Sequence, residues 1–327
     1  MAKSFLCLAI LVSLLGVGLT SVLYDKQVFN NNNCGRFLYK MFEPEGLYHV
    51  RSSIKRICQC YQGADYFATM YNKNSFIPLY SAYVYGNQPP GAQGTQICGN
   101  GTGAVHTCSR ERWCIEPELV ATNLNRKNME ECPRGPAVNT PPDPWWTQVS
   151  GSQAVDDDYK GNNSQSYNRG HLNPQGHHEG NAAKATFTLT NSVPQVVELN
   201  TKWAKQYEDK ILDEINTARG TRLCPSAYVL TGVLASNNNN NMNNRVNIPS
   251  HIWSAFCCVN NGVPTGSRAF LLGNKPNDQN QNVQSMTLQR LQSNLERIIN
   301  KTTAVTLFQN NCEIPGNDGA RAGRGNG

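Results

Sequence analysis

Twelve cysteines in 327 residues constrain this chain more than any other feature of its sequence. In an oxidising compartment such a set forms disulfide bridges, and each bridge ties together two distant parts of the chain. No Cys-x-x-Cys pair is present, only Cys58-Gln59-Cys60 and the adjacent Cys257-Cys258, so the spacing does not indicate a structural zinc site. If Cys7 is removed with an N-terminal leader, eleven cysteines remain, which predicts five bridges and one free thiol.

The first residues have the pattern of a secretory signal peptide. One lysine precedes a continuous apolar run from Phe5 to about Leu19, and the small or polar Thr20 and Ser21 follow. A membrane anchor is the competing interpretation, but the run is short for the roughly 20 residues that cross a bilayer. We therefore predict a signal peptide over residues 1–21, a secreted, extracellular protein, and no membrane span in the mature protein.

Length and charge narrow the possibilities for the mature chain. About 306 residues remain after the leader, which suits one elaborate α+β domain. We predict a single disulfide-stapled domain over residues 22–312 and a disordered Gly/Arg tail over residues 313–327. The net charge of +6 and the pI near 8.7 favour an acidic polymer as partner. Oligomeric state stays open. Three Asn-x-Ser/Thr sequences indicate N-glycosylation, at Asn100, Asn162 and Asn300.

Local patterns predict both strands and helices. The stretch "SFIPLYSAYVYG" reads as a strand pair, and "SAYVLTGVLA" and "VNIPSHIWSAFCCVN" read as further strands. In "LNTKWAKQYEDKILDEINTARG" four apolar residues stand four apart, which predicts a helix ended by Gly220. They are Trp203, Tyr207, Ile211 and Ile215. A second helix is predicted in "QSMTLQRLQSNLERIIN". The predicted fold class is α+β, with a mostly antiparallel central sheet flanked by helices.

Two other features allow a structural or a binding interpretation. Arg51, Lys55 and Arg56 have the spacing of a basic helix face, which would contact nucleic acid or simply be solvated. Trp145 and Trp146 follow "PPDP" and would either stack on bases or anchor a long loop to the body of the protein. We favour anchoring, because paired tryptophans after a Pro-rich segment have a large apolar surface to bury.

The stretch "SYNRGHLNPQGHHEG", residues 166–180, holds three of the six histidines. Phosphodiester hydrolysis needs a base that activates water, a cation over the developing charge, and help for the leaving oxygen. A neutral imidazole with a pKa near 6.5 can accept a proton, so His171 is the best candidate for the base. Arg169 can hold a phosphate bidentately. We interpret His177, His178 and His251 as structural histidines.

Three motifs in order along the chain resemble the signatures of one enzyme family. They are "YNRGHLNP", "FTLTNSVPQ", and "LN" followed eight positions later by the glutamate of "YE". The chain is thereby similar to the DNA/RNA non-specific endonucleases of the ββα-metal (His-Me finger) type. Within that family it resembles in particular the secreted endonuclease domain-containing 1 proteins, through "IPLYSAYV", "RERWCIEPEL", "YVLTGV" and "VNIPSHIWSAFCC". The resemblance covers roughly residues 30–310.

What the resemblance implies is a Mg²⁺-dependent endonuclease that hydrolyses DNA, RNA or both, with Mn²⁺ or Ca²⁺ as substitutes. His171 would be the general base, and Arg169 would contact the phosphate. A further arginine that stabilises the transition state should lie near "SRERW", where Arg110 and Arg112 both fit. The rival from another class is a secreted binding or defence protein that keeps the fold with weak or no catalytic activity. A third possibility is an enzyme of this fold that acts on another phosphodiester.

The resemblance also implies a metal site. Asn200 would bind Mg²⁺ directly, Glu208 would act through metal-bound water, and Asn191 would support the site from a strand end. On a regular helix the eight-residue separation places Asn200 and Glu208 about 12 Å apart along the axis and about 80° apart around it. The chain also departs from the family motif, which often begins with aspartate, because Asn168 stands at that position.

Overall fold

The structure is a computed structural model that describes residues 22–23, 28–30, 34–48, 52–86, 107–121, 124, 126–135, 144–160, 166–215, 224–236, 240–300 and 303–315. The predicted signal peptide, the glycosylation sequences at Asn100 and Asn162, and residues 316–327 of the predicted tail lie outside these ranges. Among the described residues, no helix is long and apolar enough to cross a bilayer.

An antiparallel sheet of eight strands organises the described residues. The strands in chain order are β1 (Val22–Leu23), β2 (Ile54–Tyr61), β3 (Ala64–Asn72), β4 (Ile77–Gly86), β5 (Cys114–Ile115), β6 (Glu130–Glu131), β7 (Tyr167–His171), β8 (Ser192–Val196), β9 (Ser226–Leu234), β10 (Asn241–Met242), β11 (Val246–Asn247), β12 (His251–Asn260), β13 (Val263–Gly273) and β14 (Gln284–Met286). The large sheet has the order β1-β2-β3-β4-β9-β12-β13-β14. At its centre β4 pairs with β9, so the described residues between these two strands, which include β5 to β8, form one long excursion from the sheet.

Helices cover both faces of this sheet. They are α1 (Pro144–Ser150), α2 (Gly180–Ala185), α3 (Val197–Trp203), α4 (Asp209–Ile215) and α5 (Leu288–Ile299), with a π-helical turn at Ala204–Glu208 that joins α3 to α4. Successive side chains of a strand point to opposite faces. In β12, Ile252 and Phe256 pack with α3 and α4, while Trp253 and Ala255 pack with α5. We call these the site face and the rear face of the sheet.

A row of polar side chains crosses the site face beneath this excursion. Ser81 of β4 stands beside Thr69 and Thr231 in register, and Thr231 stands beside Ser254. Gln59 of β2 donates to Thr69 Oγ1 at 3.0 Å, the Thr69 and Ser81 hydroxyls are 3.2 Å apart, and those of Thr231 and Ser254 are 3.0 Å apart. All five are buried, so we call them the polar row. Buried polar groups need partners, and the polar row supplies them to elements packed above it.

The rear helix α5 is regular and has a cap at each end. Thr287 Oγ1 accepts a hydrogen bond from the Arg290 backbone N–H at 3.3 Å, which satisfies one of the free donors of the first turn. Asn300 ends the helix in the left-handed conformation, with φ of 51°. Leu288, Leu291 and Leu295 are fully buried against the rear face. The helix predicted in this stretch is confirmed, although its first three residues form β14.

Four disulfide bridges lie within the described residues. They are Cys34–Cys58, Cys108–Cys114, Cys224–Cys258 and Cys257–Cys312. Cys60 is also disulfide-bonded, and Cys132 is a buried free thiol. The adjacent Cys257 and Cys258 point to opposite faces and therefore staple different elements. Among the described cysteines, the four bridges and the free Cys132 fit the predicted disulfide framework.

Two local predictions were wrong. The stretch predicted as a strand pair at residues 75–86 is the single strand β4, because its alternating side chains serve both faces. Lys55 and Arg56 of the predicted basic helix face lie instead in strand β2, where Arg56 is buried and donates to Glu43 at 2.8 Å, while Arg51 lies outside the described residues. Trp145 and Trp146 are partly buried against the core, and Arg126 lies 4.4 Å from the Trp145 ring centre. Their position is that of anchors.

Candidate active site

The excursion between β4 and β9 contains a β-hairpin followed directly by a helix. Strands β7 and β8 pair antiparallel, with Tyr167 opposite Val196 and His171 opposite Ser192, and α3 begins at the next residue. Gly170 makes close pairing possible, because a Cβ at this position would lie 2.3 Å from Gln195 Oε1. The described order of two strands and a helix is the ββα motif expected from the sequence.

A cavity of about 470 Å³ opens beside this hairpin. Its lining brings together residues from β7, from the loop before β5, and from the α3 segment. The lining residues are Arg110, Trp113, Asn168, Arg169, His171, Pro174, Gln175, Gly176, Phe187, Asn200, Ala204 and Glu208. Five of the seven residues that the sequence analysis assigned to the site therefore share one cavity.

His171 ends β7 with its ring between two aromatic side chains. Its ring centre lies 4.9 Å from that of Trp113 and 5.1 Å from that of Phe187. The Nε2 atom is buried and has no hydrogen-bond partner among the described residues. Burial, and then the positive charge of Arg110, lower the pKa of His171 to about 4. The imidazole is therefore neutral at physiological pH and has a nitrogen able to accept a proton.

The arginines take different positions around this histidine. Arg110 is exposed and lines the cavity, and its backbone carbonyl accepts a hydrogen bond from Trp113 Nε1 at 3.1 Å. Arg112 is also exposed but does not line the cavity. Arg169 donates to Asp156 at 3.1 Å and lies 5.2 Å from the Tyr159 ring centre. Thus Arg169 already has a carboxylate partner, and Arg110 is the arginine that faces the cavity from solvent.

Asn200 and Glu208 line the same cavity, although a regular helix would separate them around its axis. The π turn at Ala204–Glu208 explains this, since hydrogen bonds from i to i+5 make a wider turn. Each residue in it rotates by less than the 100° of an α-helix, which reduces the expected 80° offset. The turn also fits the buried stripe of residues four apart. Those residues, all fully buried, are Leu199, Trp203, Tyr207, Ile211 and Ile215.

Glu208 is in an unusual electrostatic environment for a carboxyl group. Burial, and then the nearby charge of Asp209, raise its pKa to about 8. In the absence of a cation, this side chain therefore holds a proton at neutral pH. A positive charge placed in the cavity would favour the ionised form, because an opposite charge within a few ångströms stabilises a carboxylate.

Asn191 is completely buried and does not line the cavity. Its Oδ1 accepts hydrogen bonds from Ser81 Oγ and from the Asn173 N–H, both at 2.9 Å. Its Nδ2 donates to the carbonyls of Asn173 and Thr186 at 2.9 and 3.0 Å. This side chain therefore ties the loop after His171 to the polar row of the sheet.

Sequence reasoning missed several residues around the site, including the two aromatic neighbours of His171 described above. Asp156, which holds Arg169, lies in an acidic run with no distinguishing pattern. His177 and His178 are buried or partly buried, as expected for structural histidines, but they contact the site. His178 Nε2 lies 2.6 Å from Asn173 Oδ1, and His177 Nε2 lies 3.1 Å from the Glu208 carbonyl oxygen. The sequence signal that could have indicated a role for His177 and His178 was their position in the same histidine-rich stretch as His171.

Comparison with known proteins identifies relatives of this chain. The model of the DNA/RNA non-specific endonuclease family matches residues 119–313. The chain is 29% identical over 285 residues to the endonuclease domain-containing 1 protein of Homo sapiens, which covers 85% of this chain and 47% of that protein. It is 27% identical over 264 residues to the protein of the same name from Mus musculus, covering 78% of this chain and 44% of that protein. The chain thus spans a little under half the length of these curated relatives.

Among solved structures, a chain from the crystal structure of the EndoG/EndoGI complex aligns with 71% of this chain and 80% of its own length, at 14% identity and a TM-score of 0.41. The family match includes the ββα hairpin, His171, Asn200 and Glu208, while Arg110 precedes the matched residues. Because that match covers more than half of the sequence, the chain belongs to the DNA/RNA non-specific endonuclease family.

Proposed function

We propose that this protein is a secreted, Mg²⁺-dependent endonuclease of low sequence specificity that hydrolyses phosphodiester bonds of DNA, RNA or both. The observation that carries the proposal is the shared cavity, in which a neutral histidine, two arginines, an amide and a carboxyl group meet. Membership in the non-specific endonuclease family supports the same reaction class.

The donor set suits a hard divalent cation. Mg²⁺ prefers oxygen ligands, keeps several waters, and is commonly held by one or two side chains together with substrate phosphate. Asn200 would hold the ion directly through its amide oxygen, and Glu208 would hold it through water. Among the described residues, no three His, Cys, Asp or Glu side chains converge as a metal cluster, so protein ligation would be sparse. When bound, the ion would neutralise charge on the phosphate and on its leaving oxygen.

In this proposal His171 is the general base that takes a proton from the attacking water. Trp113 and Phe187 pack against its ring, and the low pKa keeps the imidazole neutral, so that one ring nitrogen can accept a proton. Arg110 is the cation that meets the phosphate and its developing charge, since it faces the cavity and is exposed. Arg169 contributes positive charge from a fixed position against Asp156, and Asn191 keeps the loop that follows the base in place.

Export of the protein is part of the same proposal. The bridges within the described residues and the disulfide-bonded Cys60 support folding in an oxidising compartment. Asn300 is exposed at the end of α5 and is accessible to glycosylation. Mass spectrometry of protein recovered from the medium of expressing cells, before and after glycosidase treatment, tests both expectations by locating the new N-terminus and any attached glycan.

The deciding experiment incubates the purified mature protein with plasmid DNA and with RNA, in Mg²⁺ or in excess chelator. We expect degradation of at least one polymer in Mg²⁺ and none in chelator. Degradation that persists in chelator would remove the metal from the proposal. If neither polymer is degraded, the rival function of a nuclease-fold binding or defence protein is favoured. The observation that favours this rival is Asn168, because it provides no negative charge at a position where the family motif often has aspartate.

A further inference from the structure

His177 uses both ring nitrogens in the interior of the protein. It is 7% exposed, and its Nε2 lies 3.1 Å from the backbone carbonyl oxygen of Glu208. Its Nδ1 lies 2.8 Å from the Tyr83 hydroxyl. A carbonyl oxygen can only accept, so Nε2 carries the hydrogen. Nδ1 of the neutral ring is then the acceptor, and the Tyr83 hydroxyl is the donor.

The two partners of His177 belong to very different parts of the molecule. Tyr83 lies on the central strand β4 and is fully buried on the site face. Glu208 is the last residue of the π turn, and its side chain lines the cavity. His177 therefore connects the sheet that forms the floor of the site to the π turn that carries Glu208.

The π turn is also tied to the floor by its tyrosine. The Tyr207 hydroxyl accepts from Ser254 Oγ at 2.7 Å and lies 3.2 Å from Thr231 Oγ1, both in the polar row. Tyr207 holds the turn from beneath, through its side chain. His177 acts at the following residue and holds the backbone itself, which sets the direction in which the Glu208 side chain leaves the helix.

We propose that His177 is a positioning residue that keeps Glu208 directed into the cavity by donating a hydrogen bond to the Glu208 carbonyl from a ring anchored on Tyr83. The inference rests on the proposed function, in that Glu208 is taken to serve the divalent cation. It does not require His177 to touch substrate or metal. Without this contact, the Glu208 side chain would populate other orientations in addition to the one that faces the cavity.

The test compares two substitutions of His177. His177→Leu has similar volume and no donor, whereas His177→Gln places an amide N–H where Nε2 stands. Loss of an outer contact of this kind typically costs about 10-fold to 100-fold in metal affinity or activity. We expect His177→Leu to weaken Mg²⁺ binding by about 10-fold in calorimetry and to lower kcat similarly, with little change in substrate KM. His177→Gln should recover most of both losses.

Two further measurements separate positioning from general destabilisation. Hydrogen exchange by mass spectrometry should show faster exchange over residues 204–212 in His177→Leu, with α5 unchanged. Tyr83→Phe removes the hydroxyl that anchors His177 and that also meets Tyr207 of the π turn. It should give a smaller shift in the same direction, so it replaces His177→Leu if that variant does not fold. His251→Leu, a partly buried histidine bonded to Ser250 outside the cavity, is the matched control and should resemble the parent protein.

Specific results would overturn the inference. They are a folded His177→Leu protein with unchanged Mg²⁺ affinity and unchanged exchange at residues 204–212, or a His177→Gln protein as impaired as His177→Leu. Failure of the proposed function has a different signature, because the parent protein itself would then neither bind Mg²⁺ nor cleave nucleic acid. In that case, exchange at residues 204–212 decides whether His177 holds the turn.

Discussion

The two faces of the central sheet are covered by helices of opposite character. On the rear face, α5 is regular, has a cap at each end, and buries three leucines against an apolar surface. On the site face, the α3–α4 segment contains a π turn and packs above a row of polar side chains. The site face carries His171, His177 and Glu208, whose pKa values are shifted mainly by loss of contact with water. The face that departs from regular geometry is thus the one that presents groups suited to catalysis, as expected where function competes with stability.

Removing the proposed base should give the largest difference between an effect on activity and an effect on stability. We expect His171→Ala to lower the cleavage rate on the order of 10²-fold or more, because general base catalysis typically contributes that much. Melting temperature and Mg²⁺ affinity should change little. Initial rates on plasmid DNA, with His251→Ala as control, measure this effect. Parent-like activity of His171→Ala would reassign the base.

A substitution on the rear face should lower stability and leave activity unchanged. Leu291 is completely buried in α5, and truncating a buried leucine to alanine typically costs about 2–5 kcal/mol of the free energy of unfolding. Leu291→Ala should therefore unfold at lower denaturant concentration, while activity per folded molecule stays at the parent level. Urea titration followed by fluorescence, and rates at low urea, give the two quantities. A loss of activity beyond the unfolded fraction would show that the faces are not separable.

Within the site face, Asn200→Ala and Glu208→Ala should differ in kind. If Asn200 binds the ion directly, its loss should raise the Mg²⁺ concentration needed for half-maximal activity. Glu208→Ala should mainly slow turnover at saturating Mg²⁺, although an outer contact can also cost about 10-fold or more in affinity. Mg²⁺ titration of activity, with calorimetry on both variants, distinguishes them. Indistinguishable metal dependence would mean that the two roles were assigned incorrectly.

The smallest effect concerns the pH dependence of activity. Burial lowers the pKa of His171 to about 4 from its ordinary value near 6.5. The base is active only when neutral, so activity should be lost as pH falls through about 4, and the histidine should remain competent at pH 5.5. A profile of kcat/KM from pH 4 to 8 tests this. An inflection near pH 6.5 that is absent from a variant lacking His171 would contradict the effect of burial.

Much of the difference between the rear face and the site face could be predicted from sequence, because it depends on residues that are close together in the chain. The helix that became α5 has apolar residues at helical spacing, a threonine before it and an asparagine after it. On the other face, Arg169, His171, Asn200 and Glu208 lie within 40 positions of one another in linked motifs. A strand pair followed directly by a helix keeps such positions near one another in the fold. Their presence in one cavity was therefore predictable from motifs that lie close together in the chain.

The remainder depends on contacts between distant segments. The choice of Arg110 over Arg112 follows from how the Cys108–Cys114 loop docks against His171 through Trp113. No pattern in "SRERW" encodes that docking. The π turn likewise reconciles α-helical hydrogen bonding with a stripe of five apolar residues, spaced four apart, that packs on the sheet. The partner of Arg169 could not be chosen from an acidic run in which several carboxylates compete.

The pairing of β4 with β9 has a consequence for when the site can exist during folding. Ser81 pairs with Thr231, 150 positions further along the chain, and these two strands enclose the whole excursion that carries the cavity. Strands β2 to β4 and strands β12 and β13 are hairpin neighbours that form from nearby residues, whereas closing a long loop is slow. A chain emerging from the ribosome makes His171 and Glu208 before the strands that complete the floor beneath them. We therefore expect the cavity to assemble late, after the segment that contains β9 and β12 has folded.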